Sequence, residues 1–272
     1  MFRTIKKKII KGTNYSDVLH WINYNQIIND KKKELVNKIH KIFLGKVYSG
    51  PYKNLKISTQ ENWSIDLGSK IIGIYELEVQ NAIENLCKKK KIKTFINYGA
   101  AEGYHLTGVL KKRLAKIGIG IEIDKNSISI LKKNLKLNKL EKKVKILEKL
   151  SLDKINNYVK NKDLKNTLFL IDIEAAEYDL INSNILKFIK KSYLIIETHP
   201  FLINSKKNKK FYSMLKKEFN VKSITSGSRN PFVKGLEKLT DNERWMIVSE
   251  GRPVQMTWLI CSPKSNHSNT PS

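Results

Sequence analysis

Cysteine is almost missing from this chain: 272 residues contain only Cys87 and Cys261, far apart and without CxxC or Cys/His spacing. That pattern excludes a disulfide scaffold and a thiolate zinc site, and makes the reducing cytoplasm the expected compartment. A run of about 18 apolar residues is also missing, and the basic N-terminal segment MFRTIKKKIIKGTNYSDVLHW lacks the apolar stretch of a signal peptide. Neither a membrane span nor export is therefore expected. There is no internal repeat, and only the final residues, PKSNHSNTPS, have the composition of a disordered tail, expected over 264–272.

Arginine is scarce as well. Of 52 basic residues only Arg3, Arg113, Arg229, Arg244 and Arg252 are arginines; the other 47 are lysines, set against 25 acids for a formal charge of +27. Such a charge invites a nucleic acid, an acidic glycan or an anionic membrane as partner. The chain also holds 35 Ile and 26 Asn, and AT-rich codons encode these same three residues. Base composition alone is therefore enough to explain most of the lysine, beside a dedicated nucleic-acid surface as the other reading. Aromatics do not interleave with the lysine runs as a base-stacking platform requires, so nucleic acid is not the favoured partner.

What the chain does contain is an alternation of strand and helix from Thr94 onward. TFINY (94–98), IGIGIEI (117–123), Val144 to Leu147, Leu168 to Ile173, YLIIET (193–198), VKSITS (221–226) and QMTWLICS (255–262) read as strands. The intervening segments have helical spacing: one to about Ala115, DKNSISILKKNLKLN, one near SLDKINNYV, one through Leu180, Ile185 and Ile189, and one from Lys209 to Phe219. In TDNERWMIVSEG, Thr240 and Glu243 form a capping box and Gly251 with Pro253 ends the helix. The expected fold is α/β, a Rossmann-like, seven-stranded, mostly parallel sheet with helices on both faces over 94–263. Residues 1–93 read as an N-terminal extension or lid: a helix over 14–46, a short hairpin at VYSGPYKNLKIS, and a helix in IYELEVQNAIENLCKKKK.

Directly after the first strand stands NYGAAEGYHL, with Gly99, Ala101 and Gly103 two apart. Small residues serve where backbone turns sharply from strand into helix and approaches a ligand, although a purely structural turn has the same composition. A dinucleotide fingerprint wants its third glycine at position 104, which is Tyr. The second strand ends in IGIEID, placing Glu122 nineteen residues beyond Gly103, where a carboxylate at a neighbouring strand tip accepts ribose hydroxyls.

These segments resemble the class I S-adenosylmethionine-dependent methyltransferases, and within them the FkbM-type enzymes. The likeness is carried by NYGAAEGYHL, IEIDKNSISILKKNLKLN, SLDKI, FLIDIEAAEYDLI and YLIIETHP, over residues 94–200, and less specifically by SGPYKNLK and GIYELEV. Asn97 stands where the family usually has an acid, Ala101 replaces its middle glycine, and Glu174-Ala175-Ala176 replaces an acid-Gly-Ala pattern. The resemblance implies S-adenosylmethionine as cofactor, with Asn97, Gly99, Ala101 and Gly103 at its methionine end, Glu122 on the ribose and Glu148 near the adenine. Asp172 would face the methyl-transfer centre.

Topology independently gathers Gly99, Glu122, Asp172 and Glu197 beyond the carboxyl ends of parallel strands. His199 in THPF has a pKa suited to taking a hydroxyl proton, so Asp172, Glu197 and His199 are the candidate catalytic residues. A structural role for His199 stays open, and no metal is assigned, although Asp, Glu and His together also suit a divalent cation. Glu174 is a candidate substrate contact, with Arg229 and Asn230 of SGSRNPF, while Arg252 lies in the same long connection. Glu177 and Asp179 read as first-turn acids serving the helix dipole. An NPPY-type motif is absent and no cysteine lies in these motifs, which directs methylation to oxygen, on a saccharide or another small hydroxylated metabolite. The alternatives are an RNA methyltransferase using the basic surface and a binding protein that keeps the fold without turnover.

Overall fold

The structure, a computed structural model, describes residues 15–59, 66–149, 159 and 161–264. The helix expected near SLDKINNYV and the tail beyond Lys264 lie outside the described residues. Before the sheet come α1 (Tyr15–Ile42), α2 (Leu67–Ile72) and α3 (Leu77–Lys90). The alternating part follows as β1 (Thr94–Tyr98), α4 (Tyr104–Lys111), β2 (Ile117–Ile121), α5 (Lys125–Leu137), β3 (Val144–Leu147) and β4 (Thr167–Ile171). It continues with α6 (Glu177–Leu180), α7 (Ser183–Ile189), β5 (Tyr193–Thr198), α8 (Ser205–Glu218), β6 (Phe219–Thr225), α9 (Asp241–Val248) and β7 (Thr257–Pro263).

All seven strands join one sheet in the order β3-β2-β1-β4-β5-β7-β6. The first five run parallel, and β7 enters antiparallel between β5 and β6. This is the expected Rossmann-like α/β fold. The central strands are apolar on both faces, as a sheet covered on both sides requires. Phe95, Leu168, Leu170 and Ile195 face one core, with Ile71, Ile83, Leu106 and Leu131 from the helices. Their neighbours Ile96, Phe169, Ile171, Leu194 and Ile196 face the other, with Tyr178, Leu186, Phe211 and Leu215. Leu35, Ile39 and Leu55 belong to the first of these cores, so the segment ahead of β1 packs directly on the sheet domain.

Three local expectations change. The hairpin at 47–58 shortens to one bridge, Lys46 with Lys56, because Tyr48 and Ser49 donate their N–H groups to Ile71 and Ile72 carbonyls at the end of α2. The helix after β4 breaks in two, since the Asn182 side chain accepts from the Asn184 and Ile185 N–H groups and starts α7 afresh. The Thr240–Glu243 capping box forms, but α9 stops at Val248, ahead of Gly251. Among the described residues no helix is long and apolar enough to cross a membrane.

Candidate active site

The order reverses at β1: β2 lies on one side and β4 on the other, which opens a crevice at the carboxyl ends of the strands. A cleft of about 690 Å³ lies there, lined by the turn after β1, the tips of β2, β4 and β5, the segment before α3 and the loop after α9. That volume suits a cofactor-sized ligand.

The turn after β1 is held on two sides. Gly99 has φ +79°, and a Cβ there would overlap the Asp172 carbonyl oxygen, so the tips of β1 and β4 meet only because position 99 has no side chain. Ala101, at φ +45°, donates its N–H to Glu122 Oε2 at 2.7 Å, and the other Glu122 oxygen accepts from Ile123 N at 2.8 Å and Asp124 N at 2.9 Å. The Glu122 carboxylate is thus fixed by three backbone donors at the cleft wall, with acceptor capacity left for a ligand. Asn97 is buried beneath the turn, its amide donating to Gly99 O at 3.5 Å, and also lines the cleft. Ile123, 80% exposed, presents an apolar surface beside Glu122.

The acidic end of the cleft is built by β4 and β5. His199 is 2% exposed; its Nδ1 donates to Glu177 Oε1 at 2.9 Å, and its Nε2 faces Glu174 Oε2 at 3.6 Å and Asp172 Oδ1 at 3.9 Å. Burial by itself lowers the imidazole pKa, but the Glu177 hydrogen bond and the Asp172, Glu177 and Glu174 carboxylates outweigh it and raise it. Burial, together with the Asp172 and Glu76 carboxylates, pushes Glu197 well above the usual carboxyl range despite Arg252. Glu174 is raised by burial and by Asp172.

Two residues of the DIEAAEY turn have left-handed backbone, Glu174 at φ +55° and Ala175 at φ +76°. For an alanine this conformation costs of order 1 kcal/mol. Ala175→Gly is expected to stabilise the fold by about 1 kcal/mol, read as a higher midpoint in urea denaturation with an unchanged slope.

Several sequence-based assignments change. Glu177 is not a dipole residue on the surface: it is fully buried and holds His199. Asp179 does stay exposed, in the first turn of α6, and pairs with Lys207. Glu148 is exposed and does not line the cleft. Arg229 lies outside the cleft, with its guanidinium committed to both Glu78 oxygens and to Glu250 Oε1, while Asn230 accepts from Phe232 N within its own turn. Arg252 does line the cleft, as Lys70 does, and donates to Glu250 Oε2 at 2.7 Å, Glu197 Oε1 at 2.9 Å and Glu76 Oε1 at 2.5 Å. Glu76 and Tyr75, both cleft-lining, carried no local signal, because the Arg252 contacts that recruit them span more than 150 residues of chain.

No protein-family profile matches this chain, and no curated protein sequence matches it. Solved structures with a similar fold include the delta-N METTL16 MTase domain, at 14% identity and TM-score 0.48, covering 76% of this chain and 88% of that one. A precorrin-6y C5,15-methyltransferase from Geobacter metallireducens aligns at 8% identity and TM-score 0.42, over 68% and 89% of the two chains. The human methyltransferase 10 domain containing protein aligns at 11% and 0.41, over 68% and 81%. These likenesses concern the fold; what the site does follows from its own geometry.

Proposed function

We propose that this protein is an S-adenosylmethionine-dependent methyltransferase of the FkbM type, directed to an oxygen of a saccharide or other small hydroxylated metabolite. The observation that carries the reading is the pairing of the β1 turn with Glu122: a sharp small-residue turn and a carboxylate at adjacent parallel strand tips, joined by the 2.7 Å bond from Ala101 N. This arrangement fits a nucleoside cofactor, with Glu122 for the ribose hydroxyls, Ile123 as an apolar face for the base, and Gly99 and Ala101 at the methionine end. Bound S-adenosylmethionine would supply a methyl group on a sulfonium, which leaves by in-line displacement.

The chain's own contribution is then positioning and proton removal. On this reading Asp172, Glu197 and His199, which line the cleft, receive the acceptor hydroxyl and help remove its proton, and Tyr75 and Glu76 of the segment ahead of β1 line the same cleft. Cys87 and Cys261, both free and buried, suit a cytoplasmic enzyme.

Isothermal titration calorimetry tests the cofactor assignment. S-adenosylmethionine and S-adenosylhomocysteine are both expected to bind, and Glu122→Ala to weaken both at least tenfold, the loss of a charge-assisted pair of hydrogen bonds. Absence of binding at millimolar concentration of either compound sinks the proposal. RNA binding that weakens steeply with salt and methylation of that RNA would replace the saccharide acceptor with RNA.

A further inference from the structure

One ligand atom each from Asp172, Glu197 and His199 gathers at the acidic end of the cleft, and these atoms all lie within 4.8 Å of one another. Two independent observations indicate what this cluster is built to receive. The first is the histidine tautomer. Glu177, fully buried, accepts from His199 Nδ1, and a carboxylate acceptor places the ring proton on that nitrogen. In the neutral ring the Nε2 lone pair then points at Asp172 Oδ1 and Glu174 Oε2, 3.9 and 3.6 Å away. Those separations exceed the roughly 2.7–2.9 Å of a charge-assisted hydrogen bond. They lie inside the roughly 4.2 Å that two ligands about 2.1 Å from one ion can span, and a bound octahedral ion would draw Nε2 and Asp172 Oδ1 toward the roughly 3.0 Å of neighbouring ligands.

The second observation is an orphaned oxygen. Asp172 Oδ1, the atom that faces Nε2, is buried and has no hydrogen-bond partner. A buried carboxylate oxygen without a donor is costly unless a cation, or a proton shared with the neighbouring Glu197 carboxyl, meets it, and a divalent ion would serve Asp172, Glu197 and His199 together. Of the side-chain cations, Arg252 reaches this cluster only through Glu197 and shares its remaining donors with Glu76 and Glu250. Among the described residues, Asp172, Glu174, Glu177 and Glu197 therefore crowd one side of the cleft with one guanidinium, Arg252, reaching them through Glu197. An imidazole with two hard carboxylates suits Mg²⁺ or Mn²⁺, and the partial exposure of Asp172 (33%) and Glu174 (46%) leaves the point reachable from the cleft.

We propose that Asp172, Glu197 and His199 form a divalent-cation site of the Mg²⁺ or Mn²⁺ class, with Glu177 as the positioning residue that sets the His199 tautomer, and that its ion receives the acceptor hydroxyl. The role toward the acceptor rests on the methyltransferase reading; the site itself does not. On the ion the hydroxyl oxygen becomes more acidic, and its proton leaves through the exposed Glu174 carboxylate to solvent. This also explains why Glu174 is held in a left-handed turn beside Nε2: that backbone aims its carboxylate at the cluster instead of away from it.

Electron paramagnetic resonance of Mn²⁺ added to metal-stripped full-length protein, without cofactor or acceptor, tests the site. One Mn²⁺ per chain is expected, displaced by excess Mg²⁺, with nitrogen modulation of the echo from a bound imidazole. Asp172→Asn is expected to weaken Mn²⁺ at least tenfold and Glu177→Gln about 10–100-fold, whereas Asp179→Asn, on the exposed acid of α6, leaves it unchanged. No Mn²⁺ binding by folded protein, binding without nitrogen modulation, or binding unaffected by Asp172→Asn overturns the proposal. Wild-type binding and modulation are readable even where a variant fails to fold. A protein that binds Mn²⁺ at this site but neither cofactor would retain the metal site and lose the methyltransferase; the reverse result would do the opposite.

Discussion

Arg252→Met is expected to destabilise the fold by about 3–5 kcal/mol, the cost of removing one partner from a buried ion cluster. The guanidinium lies between Glu76, Glu197 and Glu250, whose side chains are 4%, 3% and 5% exposed, and it stacks 5.1 Å above the buried Trp258 ring. These carboxylates come from the segment before α3, from β5 and from the loop after α9, so one side chain fastens three separate parts of the cleft wall. Methionine fills a similar volume and keeps the packing on Trp258, which isolates the charge effect. Lysine is expected to recover less than half of the loss, because a single ammonium cannot reproduce the three-way fork.

The pH dependence has a definite sign. Burial alone would raise the Glu76 carboxyl, but Arg252 and His105 hold it below its ordinary value of 4.5. A depressed carboxyl contributes stability that is fully present above the unfolded value and is lost as pH falls. The gap between wild type and Arg252→Met is therefore widest near neutrality and narrows below about pH 4.5. Urea denaturation followed by tryptophan fluorescence measures it. A neutral-pH difference under 1 kcal/mol would show that the cluster does not hold the cleft together.

Asp172→Asn is expected to reduce turnover by about 10²–10⁴-fold while S-adenosylmethionine affinity stays within about twofold. The position of Asp172 is a backbone property: its N–H donates to Tyr98 O at 2.9 Å and its carbonyl packs against Gly99. Asparagine keeps both. The side-chain Oδ1 has no hydrogen-bond partner to lose, and removing its charge relieves Glu197, which that charge pushes upward. Stability is therefore expected to hold or rise as activity falls, the pattern of a group retained for function at a cost to the fold. Single-turnover methyl transfer to an acceptor, beside cofactor calorimetry on the same variant, separates the two. Turnover within threefold of wild type would remove Asp172 from the reaction centre.

How much of this was legible in the chain itself depends on the range of each signal. Seven strands, the position of each near its observed bounds, and the small-residue turn at 99–103 are readable because apolar runs, caps and turn residues act within a few positions. Asp172, Glu197 and His199 are also readable, since in a parallel sheet the residue that ends a strand is carried to the same edge whatever the rest of the chain does. Glu177 was misread for the opposite reason. Its place in the first turn of α6 is what a dipole-compensating acid looks like locally, and only the packing of that turn under β5 buries it against a histidine 22 residues on.

The same division holds for the cations and the cleft wall. Nothing near Arg229 or Arg252 distinguishes one from the other, yet the fold folds the first onto Glu78 outside the cleft and sets the second among Glu76, Glu197 and Glu250 inside it. Composition, periodicity and turn chemistry by themselves determined the α/β sheet, the parallel direction of its first five strands and the strand ends at which the cleft opens. The tertiary structure alone decided which carboxylates face one another and which cation they share, because the free energy of a buried charge depends on partners within a few ångströms, and distance along the chain says nothing about those.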